Sequence, residues 1–370
     1  MPDFDPIPHF AATYAQARAK FGEAAKARGL AVAHQVHPTA KGAEGEELAI
    51  DVAALGPPDA RELLLLISAT HGVEGFCGSG CQTGFLHDDA LFARMMDSGV
   101  RIVILHALNP YGFSYLRRTN EDNIDLNRNF RDYTTPPPPF TPYAEVHPFI
   151  VPPVWPPTPE NEARIGAYIA AHGQPALQAA VSGGQCEFPD GLFYGGERPA
   201  WSNGILRQVL REHGRKTRTL ASIDFHTGLG PRGHGEKIYS GRASAADFAR
   251  AKAWWGADVT SFYDGSSTSA PLTGVNYNAL YDECPQADYA GIAIEYGTQP
   301  FAAVLQALRA DQWLANHPDA SAAIAAPIKR AIRDAFYQDA DDWKAMIYAQ
   351  AITHAESALT GLIESRKAVP

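Results

Sequence analysis

The chain has 370 residues, 45% hydrophobic and 19% charged, a globular composition that excludes a disordered or collagen-like protein. Its formal charge of −10 argues against a binder of nucleic-acid phosphates and against anchoring to an anionic membrane, but leaves room for an anionic small substrate gripped by a local arginine pair. The four cysteines are too sparse for a disulfide framework, no apolar run reaches about 18 residues, and MPDFDPIPHF does not read as a signal peptide, so a cytoplasmic location is expected.

Residues 9–30 carry apolar positions at helical spacing and stop at Gly29. Strands are predicted over 31–38 and within KGAEGEELAIDVAAL. ELLLLISAT (62–70) is a near-continuous apolar run, as in a central strand covered on both faces. Residues 75–89 read as the helix that follows it, and 100–110 as the next central strand. In that helix Cys77 and Cys81 read as buried small residues, because no second Cys or His pair follows at zinc-finger spacing. Strand–helix–strand order predicts an α/β fold with an open, mixed and mostly parallel central sheet and helices on both faces. Residues 134–159 are proline-rich and predicted to be neither regular helix nor central strand, but an ordered surface insertion. As such it is a connector first, and a wall of a site or a subunit contact second. Residues 161–174 read as helix, and Ser202–Asn203 as the cap of the next one. Strands then end in Asp224 and His226, and in Glu295. The expected organisation is one domain over 1–325 with a helical extension, 326–370, packed on it.

Polar residues gathered at strand ends mark where open α/β sheets place their ligands. His71 and Glu74, in SATHGVEGF, stop an apolar strand abruptly, and Gly72 and Gly75 read as sources of backbone freedom around them. With His226 they make two imidazoles and one carboxylate, a catalytic zinc set that leaves a fourth position open. The segment 115–132 holds Arg117, Arg118, Arg128 and Arg131 among Asn120, Asn123, Asn127 and Asn129. It suits recognition of a carboxylate; the plainer alternative is a solvated loop paired with its own Glu121, Asp122 and Asp125. Glu295, a carboxylate at the end of an apolar strand, can take a proton from water and return it to a leaving amine. The chemistry implied is hydrolysis of an amide or ester bearing an anionic end. GxSxG and HExxH are both absent.

HGVE (71–74), LNPYGF (108–113), LRRT (116–119), DLNRNF (125–130), SIDFHT (222–227) and AIEYG (293–297) together resemble the zinc carboxypeptidase superfamily, which includes aspartoacylase-like deacylases. The whole pattern is similar to that of a bacterial subgroup. The resemblance implies a carboxypeptidase-like fold and one Zn2+ held by His71, Glu74 and His226. It implies Glu295 as general base and then acid, Arg117 as the group polarising the scissile carbonyl (Arg118 if the register shifts by one), and Asn127 with Arg128 on the substrate carboxylate. Asp224 falls behind His226. Tyr263, Tyr277 and Tyr281 are candidates for a substrate-binding tyrosine. Tyr111 departs from the NPDGF of the digestive members. The expected reaction is that of a carboxypeptidase or an N-acyl amino acid deacylase; the alternatives are an esterase of small anionic substrates and a non-catalytic carboxylate-binding protein. Expected partners are a small amide or a short peptide with a free carboxylate, with no nucleic acid or membrane and with a homo-oligomer left open. The loop 183–204, with Gln185, Tyr194 and Ser202, is expected near the site.

Overall fold

A computed structural model describes residues 4–137 and 139–368. In chain order the strands are β1 (Val32–Lys41), β2 (Glu47–Leu55), β3 (Glu62–Ile67), β4 (Arg101–His106), β5 (Thr219–Gly228), β6 (Gly235–Tyr239) and β7 (Asp288–Gly297). The first helices are α1 (Tyr14–Ala27), α2 (Gly75–His87), α3 (Asp89–Asp97) and α4 (Pro110–Ser114). Next come α5 (Thr141–Ile150), α6 (Pro159–His172), α7 (Gln174–Ser182), α8 (Trp201–Gly214), α9 (Ala245–Trp255) and α10 (Tyr277–Glu283). The chain ends with α11 (Phe301–Asn316), α12 (Ala322–Phe336) and α13 (Asp341–Ser365).

The seven strands form one open sheet in the order β1-β2-β4-β3-β5-β7-β6. Its centre is parallel: β3 pairs with β4 and β5, and β5 with β7. Antiparallel partners close both sides, β1 and β2 at one edge and β6 at the other. The apolar run ELLLLI makes β3 buried along its whole length, because helices cover both faces. On one face Phe21, Phe76 and Phe85 of α1 and α2 meet Trp343 and Ile347 of α13. On the other, Leu206 and Leu210 of α8 pack with Leu280 of α10. A third cluster joins α5, α7, α11 and α12 around Val73 of the HGVE turn.

Three expectations change. The proline-rich stretch contains α5: Pro142 sits in the first turn, where a missing N–H leaves no bond unmade, and Pro148 falls in the last. Tyr143, Val146 and Ile150 form a buried face there, which composition alone does not reveal. Ser202 and Asn203 do not cap α8; it starts at Trp201, and Asn203 lies inside it and donates to Asn129 O at 2.9 Å. Position 325 lies inside α12, and α13 shares the main core with β4 and β5.

Candidate active site

The carboxyl ends of β3, β5 and β7 meet at one place. After β3 the backbone turns through Ala69, at a φ of 55°, and a single 3-10 turn over Gly72–Glu74 folds Glu74 back beside His71. A non-glycine residue in the left-handed region costs about 1–2 kcal/mol, and such strain gathers at functional sites. Leu116 and Phe193, at φ of 52°, flank the same place. Gly72 and Gly75 are needed for space, not for left-handed backbone. A Cβ on Gly72 would stand 2.1 Å from the carbonyl carbon of Gly112, and one on Gly75 would meet the Phe113 ring at 2.6 Å. The NPYGF segment therefore lies directly against the turn. Gly72 N donates to Arg118 O (3.2 Å) and Val73 N to Arg117 O (2.8 Å), while the Asn109 side chain donates to Arg118 O (3.2 Å).

Donor atoms of His71, Glu74 and His226 lie within 4.8 Å of one another, all buried. Glu74 Oε2 is 3.2 Å from His226 Nδ1 and accepts from Thr227 N at 3.1 Å. Asp224 Oδ2 stands 2.8 Å from His226 Nε2, and is itself held by Thr70 Oγ1 and Asn276 Nδ2. Asp125 Oδ1 is 3.3 Å from His71 Nδ1, which nonetheless makes no hydrogen bond among the described residues. Two imidazoles and a carboxylate whose donor atoms converge, backed by Asp224 and Asp125, make a donor set that suits a divalent cation. The residues can hold a metal ion.

Arg118 crosses this centre. Its Nε donates to Asp125 Oδ2 (2.9 Å) and Nη1 to Glu74 Oε1 (3.1 Å), Nη2 stands 2.7 Å from His71 Nε2, and the guanidinium lies 4.8 Å over the Phe193 ring. Glu295 pairs in register with His226 across β5 and β7, and its Oε1 accepts from Leu229 N at 2.9 Å. Burial, and then the Glu74 charge, push the Glu295 carboxyl up to about 7. Burial opposes ionisation of Asp125, but Arg118, His71 and Arg128 outweigh it and hold the carboxyl well below its usual range. Burial, and then Arg118, keep His71 neutral; His226 is raised against burial by Asp224 and Glu74.

A cavity of about 130 Å³ opens on this floor, and His71, Arg118, Asn127, Arg128, Asp224, His226, Tyr277 and Glu295 all line it. Glu74 lies beneath. Arg128 is buried, its hydrogen bonds go to the Ser182 and Asn127 carbonyls, and it forms no salt bridge among the described residues. Burial lowers it to about 10. Asn127 Oδ1 accepts from Asn276 N at 3.0 Å.

Arg117 is not brought to the centre. Its backbone carbonyl holds the turn, but its side chain points to Asp311 (3.2 Å) and Asn123 (2.8 Å), so Arg118 takes the place expected for it. Tyr263 is 48% exposed and donates to Gly241 O, and Tyr281 donates to Asp247 Oδ2; neither lines the cavity. Of the loop 183–204, Gln185 ties its own turn and Ser202 is buried in α8, while Tyr194 O accepts from Asp125 N (2.8 Å) and Phe193 lies under Arg118. Asn276, Thr70 and Phe193 were not singled out by sequence, since nothing in their neighbours announces a role. Asp125 was legible only as a partner for nearby arginines.

A family model described as "Protein of unknown function (DUF2817)" matches residues 10–350. No curated protein matches the chain. Among solved structures, bovine thrombin-activatable fibrinolysis inhibitor in complex with tick carboxypeptidase inhibitor superposes with a TM-score of 0.51 at 11% identity, over 96% of this chain and 98% of that one. Carboxypeptidase A from Helicoverpa armigera gives 0.46 at 14% identity, over 93% and 74%. A metallo-carboxypeptidase from Burkholderia cenocepacia gives 0.41 at 11%, over 92% and 68%. At these identities the likeness is one of fold, and the fold is carboxypeptidase-like.

Proposed function

The chain belongs to the DUF2817 family, which hands down no activity, and from the site itself we propose zinc-dependent hydrolysis of an amide bond next to a carboxylate-bearing group. The observation that carries this reading is the buried His71–Glu74–His226 cluster at the floor of a cavity that Glu295, Arg118 and Arg128 also line. His71, Glu74 and His226 would hold the ion. Bound there, zinc would supply a water of lowered pKa and an electrophile for the carbonyl.

Glu295, partly buried and with its carboxyl pushed up to about 7, is suited to accept a proton from the attacking water and deliver it to the departing amine. Arg118, whose guanidinium lies against Glu74 and His71, suits the stabilisation of charge developing on the carbonyl oxygen. Arg128 is a buried cation without an ion-pair partner among the described residues, and with Asn127 it suits a substrate carboxylate. Tyr277 is the one of the three candidate tyrosines within reach. Carboxypeptidase and N-acyl amino acid deacylase are the two reactions this set serves.

The test is to strip the protein with chelator, measure bound metal, and assay N-acyl amino acids before and after adding zinc. Glu295→Gln is expected to keep about one equivalent of metal and lose 10²-fold or more in kcat, of the order general-base catalysis supplies. Full activity without divalent metal, or unchanged turnover in Glu295→Gln, sinks the assignment.

A further inference from the structure

We infer that the cavity takes a small N-acylated amino acid with an apolar side chain, and excludes the end of a polypeptide. The inference rests on the hydrolase reading above and names its substrate class. The charged groups lining the cavity all belong to the floor already described. Above them the walls are apolar and of two origins. Leu272 and Val275 join Ile238 of β6 and Ala293 of β7 on one side. This wall stands next to the carboxylate grip: Gly274, at a φ of +71°, packs on the Arg128 backbone, and Asn276 N donates to Asn127. The side chain adjoining the substrate carboxylate therefore meets mainly apolar groups, with Tyr239, Ser240 and Tyr277 among its neighbours and no counter-charge among the described residues. The other wall is Phe301, Val304, Leu305 and Leu308 of α11 with Phe336 of α12, whose ring lies against Gly228 beside Glu295. It faces the acyl side.

A strap over residues 261–276 covers the space between. Phe262, Ser269, Ala270 and Leu272 of the strap line the cavity, as do Gln178, Val181 and Ser182 of α7. Gln178 Nε2 donates to Thr268 O at 2.9 Å, an exposed bond that joins these two sides above the buried floor. The strap is tied behind by the Glu236 carboxylate, which accepts from Thr268 N (3.1 Å), the Thr268 hydroxyl and Thr260 Oγ1 (2.6 Å). Phe130 N to Gly274 O (2.9 Å) fixes its far end. An extended peptide needs about 3.3 Å of room per residue beyond the scissile bond, and the Gln178–Thr268 bond narrows the mouth through which it would have to run. The cavity volume, about 130 Å³, is also below the roughly 300–1,000 Å³ of drug-sized sites.

The experiment compares kcat/KM of the zinc-loaded protein for N-acetyl-L-leucine, N-acetyl-L-glutamate, N-acetyl-L-lysine and acetyl-Ala-Ala-Ala-Leu. Leucine is expected to exceed both charged residues by about 10-fold or more, and the acetylated tetrapeptide by about 100-fold. Gln178→Ala, which unties the roof, is expected to narrow the gap to the tetrapeptide by about 10-fold. Calorimetry on chelator-treated protein supplies an independent arm, with N-acetyl-L-leucine binding at least about 10-fold tighter than the tetrapeptide. A tetrapeptide hydrolysed or bound as well as N-acetyl-L-leucine overturns the inference, as does equal use of the charged residues. Selective binding with no hydrolysis of any compound sinks the proposed reaction and leaves the size and polarity of the ligand standing.

Discussion

Replacing Asp125 by asparagine removes one negative charge from the buried centre and little else. Asp125 is fully buried, and three groups converge on its carboxylate. Oδ2 takes Arg118 Nε at 2.9 Å, Oδ1 accepts from Asn127 N at 2.9 Å, and Oδ1 lies 3.3 Å from His71. Asparagine keeps an acceptor for Asn127 N but can turn an amide toward a guanidinium that only donates. A hydrogen bond to a charged group contributes about 1.5–3 kcal/mol, and breaking a buried ion pair costs about 3–5. Because Arg118 keeps Glu74, the lower range applies, and the expected loss is about 2–3 kcal/mol. Asp125→Ala also removes the acceptor for Asn127 N and should cost about 1 kcal/mol more. The assay is urea unfolding of chelator-treated protein, so that bound metal does not contribute. A loss below about 0.5 kcal/mol for Asp125→Asn, within the range of surface changes, would refute the view that Asp125 pins Arg118.

Arg118→Met should lower kcat by about 10²–10³-fold with bound metal retained. Arg117→Met should leave kcat within about threefold and lower stability through Asp311; the reverse pattern returns the role to Arg117. Gly72→Ala drives a methyl into the Gly112 backbone and should cost about 1–3 kcal/mol, with loss of metal binding; a neutral result in urea unfolding contradicts the packing. His106 is fully buried, stacked on Phe21 and bonded to Ser79, and burial holds its imidazole down at about 4, with Asp51 and Arg18 acting in opposite senses. The unfolded chain takes up that proton first as pH falls, so stability is full above about 6.5 and about 3 kcal/mol is lost by pH 4. His106→Leu should flatten the urea midpoint between pH 6.5 and 4; an unchanged slope refutes this.

The central strands were legible because a strand buried on both faces must be continuously apolar, as ELLLLI and RIVILH are. The metal set was legible for a related reason: histidine and glutamate are costly where such strands end, so HGVE, DFHT and AIEYG stand out. What could not be read was direction. Arg117 and Arg118 are neighbours of one type, and only the left-handed turn at Leu116, together with the 117 and 118 carbonyls bonded to the HGVE amides, decides which side chain faces the centre. Tyrosine choice failed likewise, since Tyr263, Tyr277 and Tyr281 differ by which face of a strap or short helix they occupy. The helix inside the proline-rich stretch was hidden because its prolines sit at its two ends, where a pattern based on proline as a breaker has no power.

The bonds from Gly72 and Val73 to the carbonyls of Arg118 and Arg117 couple two things usually treated as separate parts. The ion's anchor and the arginine beside it ride on one backbone clasp, whereas the roof and the aliphatic walls come from distant stretches of chain. Relatives could therefore exchange α7 or the strap for other sequences and acquire new substrates while the reaction stayed the same. An insertion between NPYGF and Arg118 would have the opposite effect, shifting anchor and arginine together and extinguishing turnover for every substrate at once.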